Sequence, residues 1–186
     1  MSVGLKRGTV AVEPHRTEWE VAAQEMIGCL KNILKDDMID VQHIGSTSVK
    51  GICAKPIVDI VVGVSSFDRM MKHNDVLMEH GIAYRRQDHP GQHLYVAGDL
   101  ENNIQTHYIH VVIWGRESWV NYINMRDYLN AHEEVAREYS DLKERLAEAY
   151  PEDRIAYTDG KSALIERILQ AAEQWRKQST RGLTEV

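Results

Sequence analysis

The residue that asks most of the chain is Asp59. It sits in Pro56-Ile57-Val58-Asp59-Ile60-Val61-Val62-Gly63-Val64, an otherwise apolar run, where a carboxylate is costly to bury unless something pairs with it. Lys55 or His43 could supply a structural ion pair; otherwise the carboxylate is there for chemistry. Upstream, His43-Ile44-Gly45-Ser46-Thr47-Ser48 ends an apolar stretch in a glycine and hydroxyls, and the loop that follows carries Lys50 and Lys55. Phosphate needs convergent N–H and hydroxyl donors, and glycine lets the backbone come close to it. Ser46 and Ser48 fit that role or the capping of a short helix equally well. His107 and His110 lie three apart in the apolar run 106–114. In a regular strand they point to opposite faces, and only a bulge would bring both to one side. His110, deeper in the run, is the one expected beside Asp59, as a metal ligand or proton carrier. Lys161, at the start of the last helix behind Tyr157-Thr158-Asp159-Gly160, can reach an anionic ligand.

These residues need a scaffold, and the hydrophobic pattern outlines one. Gly8–Glu13 alternates towards Pro14 and reads as a short edge strand. Thr17 is placed to cap a helix whose apolar residues run from Trp19 to Leu34 at helical spacing. Strands are expected over Met38–Ile44 and, covered on both faces, over Pro56–Val64. A helix over Phe67–His80 stops at Gly81. Two strands, Ile82–Arg86 and Gln92–Ala97, surround a turn at Asp88–Gly91, and a longer strand covers Thr106–Trp114. After Gly115 the periodicity is helical: a first stripe includes Trp119 and Leu129, a second runs Val135, Tyr139, Leu142, Leu146 and Ala149, and a third runs Leu164 to Trp175. Trp114, Trp119 and Trp175 read as core aromatics. The fold class is α+β, a mixed sheet flanked by helices with a helical C-terminal half. One domain is expected over 1–178, with its sheet over about 8–114 and its C-terminal helices over about 116–178, followed by a disordered tail at 179–186.

Composition narrows the function classes. The chain has 186 residues, 43% of them hydrophobic, with 28 acidic against 22 basic side chains and a net charge of −6. That balance excludes broad nucleic-acid binding, which needs a basic surface, but leaves room for a small basic pocket. No apolar run reaches the ~20 residues of a membrane span, and residues 1–8 lack the apolar core of a secretory signal; a cytoplasmic location is expected. The two cysteines, Cys29 and Cys53, form no CxxC pair, which argues against a disulfide framework or a thiolate zinc site.

The Gly45-Ser46 turn with a carboxylate in the next strand resembles the nucleotidyltransferase fold, in which such a turn holds the triphosphate. A longer pattern is more specific. His43-Ile44-Gly45-Ser46-Thr47-Ser48-Val49, Ala54-Lys55-Pro56-Ile57-Val58-Asp59-Ile60, Thr106-His107-Tyr108-Ile109-His110-Val111-Val112 and Tyr157-Thr158-Asp159-Gly160-Lys161 resemble, in that order, the GrpB family, as do Val12-Glu13-Pro14-His15 with Trp19, and Met125-Arg126-Asp127-Tyr128-Leu129. The resemblance spans roughly Gly8 to Gln174 and implies a branch of the nucleotidyltransferase superfamily. It implies a phosphate or nucleotide site at Gly45, Ser46, Ser48, Lys55 and Lys161, with Asp59 and His110 as catalytic residues and ligands of a divalent metal, magnesium or manganese before zinc.

One feature departs from that superfamily. Two-metal transfer needs about three carboxylates around cations ~3.5–4 Å apart, two of them at i and i+2 of one strand. Here Val61 follows Asp59 at i+2, and 106–114 holds no acid. Tyr108 also stands where the family often carries a histidine. The expected function is transfer of a nucleotidyl or phosphoryl group; the alternative is binding of a nucleotide or phosphorylated small molecule without turnover. The sequence assigns no oligomeric state, and a third reading makes the 135–149 stripe a face for a protein partner.

Overall fold

The computed structural model describes residues 3–89 and 91–184. Its elements, in chain order, are β1 (Leu5–Lys6), α1 (Glu18–Leu34), β2 (Met38–Ile44), β3 (Val58–Val64), α2 (Phe67–Met71), α3 (Asn74–Glu79), β4 (Ile82–His89), β5 (Gln92–Asp99), β6 (Ile104–Ile113), α4 (Glu117–Ala131), α5 (Glu133–Ala149), α6 (Arg154–Asp159) and α7 (Ser162–Thr184). The sheet runs β2-β3-β6-β5-β4, with β1 pairing β6 off this path. Strands β3 and β6 are parallel and the other pairs antiparallel. The protein is α+β, with a mixed sheet and a helical C-terminal half.

Side-chain alternation in β3 divides the molecule. Val58, Ile60, Val62 and Val64 join Ile109 and Val111 of β6 in one core, which α1 closes with Trp19, Ala23, Ile27, Leu30 and Leu34, and α2 and α3 with Met70 and Leu77. On the opposite face Val61 and Val112 pack with Ile44 and Trp119, under Tyr122 and Ile123 of α4. Asp59 and His110 belong to that second face, between the sheet and the helical half. The 135–149 stripe meets the chain itself: Val135, Tyr139 and Leu142 pack with Val49, Ile52, Leu164 and Ile168, which leaves the partner-face reading without its free stripe.

Several expectations change. Residues 8–13 form no strand; Glu13 makes an isolated bridge to Ala54. The Val10 amide donates to Pro151 O at 2.8 Å, and Val10 and Val12 pack on Leu146, Ala147 and Tyr157. Their alternation marks packing onto helices rather than a ladder. Thr17 precedes α1 without a capping hydrogen bond from its side chain. The helix expected over 67–80 breaks into α2 and α3 at Lys72-His73, where the His73 ring lies 2.8 Å from Asp37. Trp114 is not in the core but 48% exposed. Helix α7 continues to Thr184, through most of the tail expected to be disordered, and 185–186 lie outside the described residues. Among the described residues, no helix is long and apolar enough to cross a membrane.

Gly63 lets α4 sit close on the sheet: a Cβ there would come 2.7 Å from Trp114 Cδ1 and 2.9 Å from Trp119 Cζ3. Overpacking of this kind costs about 1–3 kcal/mol. Gly63→Ala is therefore expected to lower the thermal midpoint by several degrees, measurable by calorimetry, while keeping the far-UV circular dichroism of the wild type.

Candidate functional site

Register brings the two central residues together. Asp59 is level with Tyr108, and Val61 with His110, in a β3–β6 ladder that runs without a shift from Val58 to Val64. With no bulge, His107 and His110 take opposite faces. His107 turns towards α1, with Nδ1 2.9 Å from Thr106 Oγ1 and Nε2 3.3 Å from Ala22 O. His110 faces the cavity, with Nε2 3.1 Å from Asp59 Oδ1.

A hydrogen-bond chain fixes the His110 tautomer. Tyr122 Oη donates to Gln92 Oε1 at 2.7 Å, and Gln92 Nε2 lies 3.2 Å from His110 Nδ1. If the amide donates to Nδ1, the ring proton is on Nε2, where it donates to Asp59. Neither of the two ion-pair partners considered for Asp59, Lys55 or His43, takes this place. His43 Nε2 instead meets Thr47 Oγ1 at 2.9 Å, and burial, outweighing the attraction of Asp59, lowers its pKa to about 4.

The turn after β2 reaches the same place. Gly45 has φ +72°, and a Cβ on it would lie 2.6 Å from Asp59 Oδ2, so conformation and contact both demand glycine. Gly45 and Ser46 line the cavity, whereas Ser48 does not. The Ser48 hydroxyl donates back to Gly45 O at 2.7 Å and closes the turn, the capping arrangement of the two that the sequence left open. Cys53 is a buried thiol 3.4 Å from Ser140 O, with a pKa raised by burial, the opposite of an activated nucleophile.

Helices α4 to α7 supply the other wall of a cavity of about 600 Å³. Its cations gather round tyrosine rings. Lys55 and Lys161 lie 5.3 and 4.3 Å from the centroid of Tyr157, Arg154 lies 5.3 Å from that of Tyr108, and Lys143 lies 4.6 Å from that of Tyr139. Lys143 is only 1% exposed, and its Nζ donates to Cys53 O. Among the described residues none of these four forms an ion pair with a carboxylate. Burial first, then the neighbouring Lys55 and Lys143, lowers Lys161 from its ordinary 10.5 to about 7. Burial lowers Lys143 to about 8, and burial and then Arg154 lower Lys55. Arg126 also lines the cavity but is engaged with Asp127 at 2.8 Å, Gln42 Oε1 at 3.0 Å and His43 O at 3.2 Å.

Sequence reasoning thus reached Lys55 and Lys161 and missed Lys143 and Arg154. Lys143 follows Ala136, Tyr139 and Ser140 at helical spacing on the buried face of α5, a signal hidden because a lysine does not register in an apolar stripe. Gln92 and Tyr122, which orient His110, were also missed.

The donor set does not fit a two-metal centre. Among the described residues Asp59 is the one carboxylate lining the cavity, and they contain no group of three or more His, Cys, Asp or Glu side chains placed to hold an ion.

Comparisons with known proteins give the family and the fold. A family model described as GrpB protein matches residues 9–171. The chain belongs to the GrpB family. It is 37% identical over 170 residues to the "Glutamate-rich protein GrpB" of Alkalihalophilus pseudofirmus, covering 90% of this chain and 98% of that one. To the "UPF0157 protein YqkA" of Bacillus subtilis it is 33% identical, covering 88% of this chain but 47% of that longer one. The crystal structure of GrpB from Enterococcus faecalis superposes with a TM-score of 0.82 at 28% identity, over 89% of this chain and 99% of that chain. The Cid1 poly(U) polymerase with MgGTP bound gives a TM-score of 0.52 at 12% identity, over 73% of this chain and 44% of the polymerase. Terminal uridylyl transferase 4 from Trypanosoma brucei, with bound dUTP, also gives 0.52, at 14% identity over 86% of this chain and 56% of that chain. At such identities the last two likenesses establish the fold alone: this GrpB chain has a nucleotidyltransferase-like architecture.

A lysine with a lowered pKa costs stability. The unfolded chain binds more protons than the folded one between about pH 7 and pH 10.5, so stability of the ligand-free protein rises with pH across that window. Lys161→Met removes the buried charge. It is expected to stabilise the free protein at pH 6.5 by on the order of 1 kcal/mol, roughly 2–4 °C in Tm, with the gain shrinking towards pH 10. Calorimetry of the two proteins over that range measures it.

Proposed function

We propose that the cavity binds a nucleotide or another phosphorylated small molecule and that the protein transfers a nucleotidyl or phosphoryl group from it. The observation that carries this reading is the set of cations Lys55, Lys143, Lys161 and Arg154 around a cavity with one carboxylate. Such a set is costly in the free protein and becomes favourable when a polyanion enters. The volume, about 600 Å³, is that of a small-molecule site. Val49, Met125, Leu129, Ile165 and Leu169 give it an apolar side for the body of such a ligand.

In this reading the Gly45-Ser46 turn and Lys55 hold phosphate, and Lys161 and Arg154 neutralise charge that develops on the leaving group. An acceptor hydroxyl attacks phosphorus. A new P–O bond forms as the bond to the leaving phosphate breaks, and the hydroxyl proton passes to Asp59. His110, held by Gln92 and Tyr122, orients the carboxylate through its Nε2–H. The second reading, binding without turnover, draws on the apolar Val61 at i+2 from Asp59 and the uncharged Tyr108 beside it.

A thermal-shift screen against nucleoside triphosphates, each without metal and with Mg²⁺ or Mn²⁺, tests the binding common to both readings. A ligand at ~100 times its dissociation constant adds about 2.7 kcal/mol. Asp59→Asn is expected to keep that shift and to lose turnover by 10²-fold or more, followed as pyrophosphate or phosphate release. Stabilisation without release in the wild type supports the binding module; a flat screen removes the nucleotide from both readings.

A further inference from the structure

The cation set of the cleft and its donor set differ in what they favour, and the difference deepens the phosphate-binding reading, on which it rests. We infer that the cleft takes the phosphates of its ligand as a metal-free polyanion, held directly by Lys55, Lys161 and Arg154 over the buried charge of Lys143, and not as a complex with a divalent cation.

A divalent cation at a phosphate site needs oxygen ligands from the protein, usually one or two carboxylates beside the phosphates. Among the described residues the cavity offers Asp59 alone. One of its oxygens, Oδ1, is engaged by His110 at 3.1 Å, and Oδ2 is the oxygen over which Gly45 is packed. The strand position that would add a second acid on the same face is Val61, fully buried among Ile44, Val112 and Trp119.

The charges run the other way. Lys55 and Lys161 share the ring of Tyr157, Arg154 lies against Tyr108, and Lys143 stands behind them on α5. Unlike charges attract and like charges repel most strongly where water is scarce. This cluster therefore opposes a dication and favours an anion that carries its full charge, and lysines and an arginine take over the neutralisation that a metal gives elsewhere. Polyphosphate chelated by magnesium has lost part of that charge.

Proton linkage follows. The groups facing Lys161 are Lys55 before β3, Asp59 on β3, Lys143 on α5, and Arg154 and Tyr157 on α6; the cations outnumber the one acid. Lys161, lowered by burial and these cations, is only partly protonated near neutrality, and an entering anion draws a proton onto it.

Inorganic triphosphate is the probe, titrated calorimetrically into the full chain in EDTA and again with excess Mg²⁺ or Mn²⁺. The expected result is binding in EDTA that weakens at least several-fold when the metal is added. Lys161→Met should weaken binding tenfold or more at about pH 6.5, and that ratio should shrink towards one by about pH 8.5; taking the ratio cancels the titration of the triphosphate. Arg154→Met should weaken binding at both pH values. Binding that requires the metal overturns the inference and leaves the phosphate-binding reading standing. Affinity unchanged in both variants overturns it as well, because the triphosphate is then held elsewhere. Triphosphate and nucleoside triphosphates that both fail to bind, with or without metal, overturn the inference together with the reading beneath it.

Discussion

Burial of β3 on both faces is the constraint on which the rest of the molecule depends. The strand has no solvent side: its even-numbered residues fill the core under α1 to α3, and Val61 fills the core under α4. Alternation then leaves Asp59 at the strand's start, where the second face opens into the cavity. A shift of one residue in the β3–β6 pairing would separate the two, turning either Asp59 into the apolar core or His110 towards α1. The core on one face is thus what aims the acid and the imidazole on the other. Gly45 completes the arrangement, since its missing side chain is the space that the Asp59 carboxylate fills.

The helical half reverses the usual relation between burial and charge. Hydrophobic contacts hold α5 and α7 to α4 and to the segment between β2 and β3, and the energy of that packing is used to keep Lys143, Lys161 and their neighbours close together and partly out of water. Tyrosine faces soften the arrangement through cation–π contact, and the lysines respond to the remaining strain by holding their protons less tightly. The result is a cluster of cations held close together on one wall of the cavity.

Much of the site could be read from residues with obvious signatures. Asp59 stands out as a charge in a Val/Ile strand, whereas the spacing of His107 and His110 sends them to opposite faces only in an unbulged strand, which the β3–β6 ladder proves to be. Lys55 and Lys161 lay in motifs of the family. Lys143 and Arg154 had no such mark, because a lysine on the buried side of a helix is indistinguishable in sequence from one on its solvent side until the neighbours are known. Gln92 and Tyr122 come from β5 and α4, and only the tertiary fold brings them to His110. The strands and long helices followed their periodicity, whereas residues 8–13 misled because alternation records burial on one side, which packing on helices produces as readily as a ladder does. Ser48 was ambiguous in principle: capping a turn and binding a phosphate use the same oxygen.

The order of assembly is a consequence of where the cations reside. The Gly45-Ser46 turn and Asp59 come from the first third of the chain, Arg154 and Lys161 from the last, and the parallel pairing of β3 with β6 already spans about fifty intervening residues. Contacts of such separation form late, after the entropy of closing long loops has been met. On a growing chain, strands β2 and β3 are present well before α6 and α7 emerge, so the basic wall closes only after those two helices have been made. Until then Asp59 stands without Arg154 and Lys161 opposite. A chain that stops before α6 therefore has the acid and the glycine turn of the cavity but lacks Arg154 and Lys161 of its basic wall.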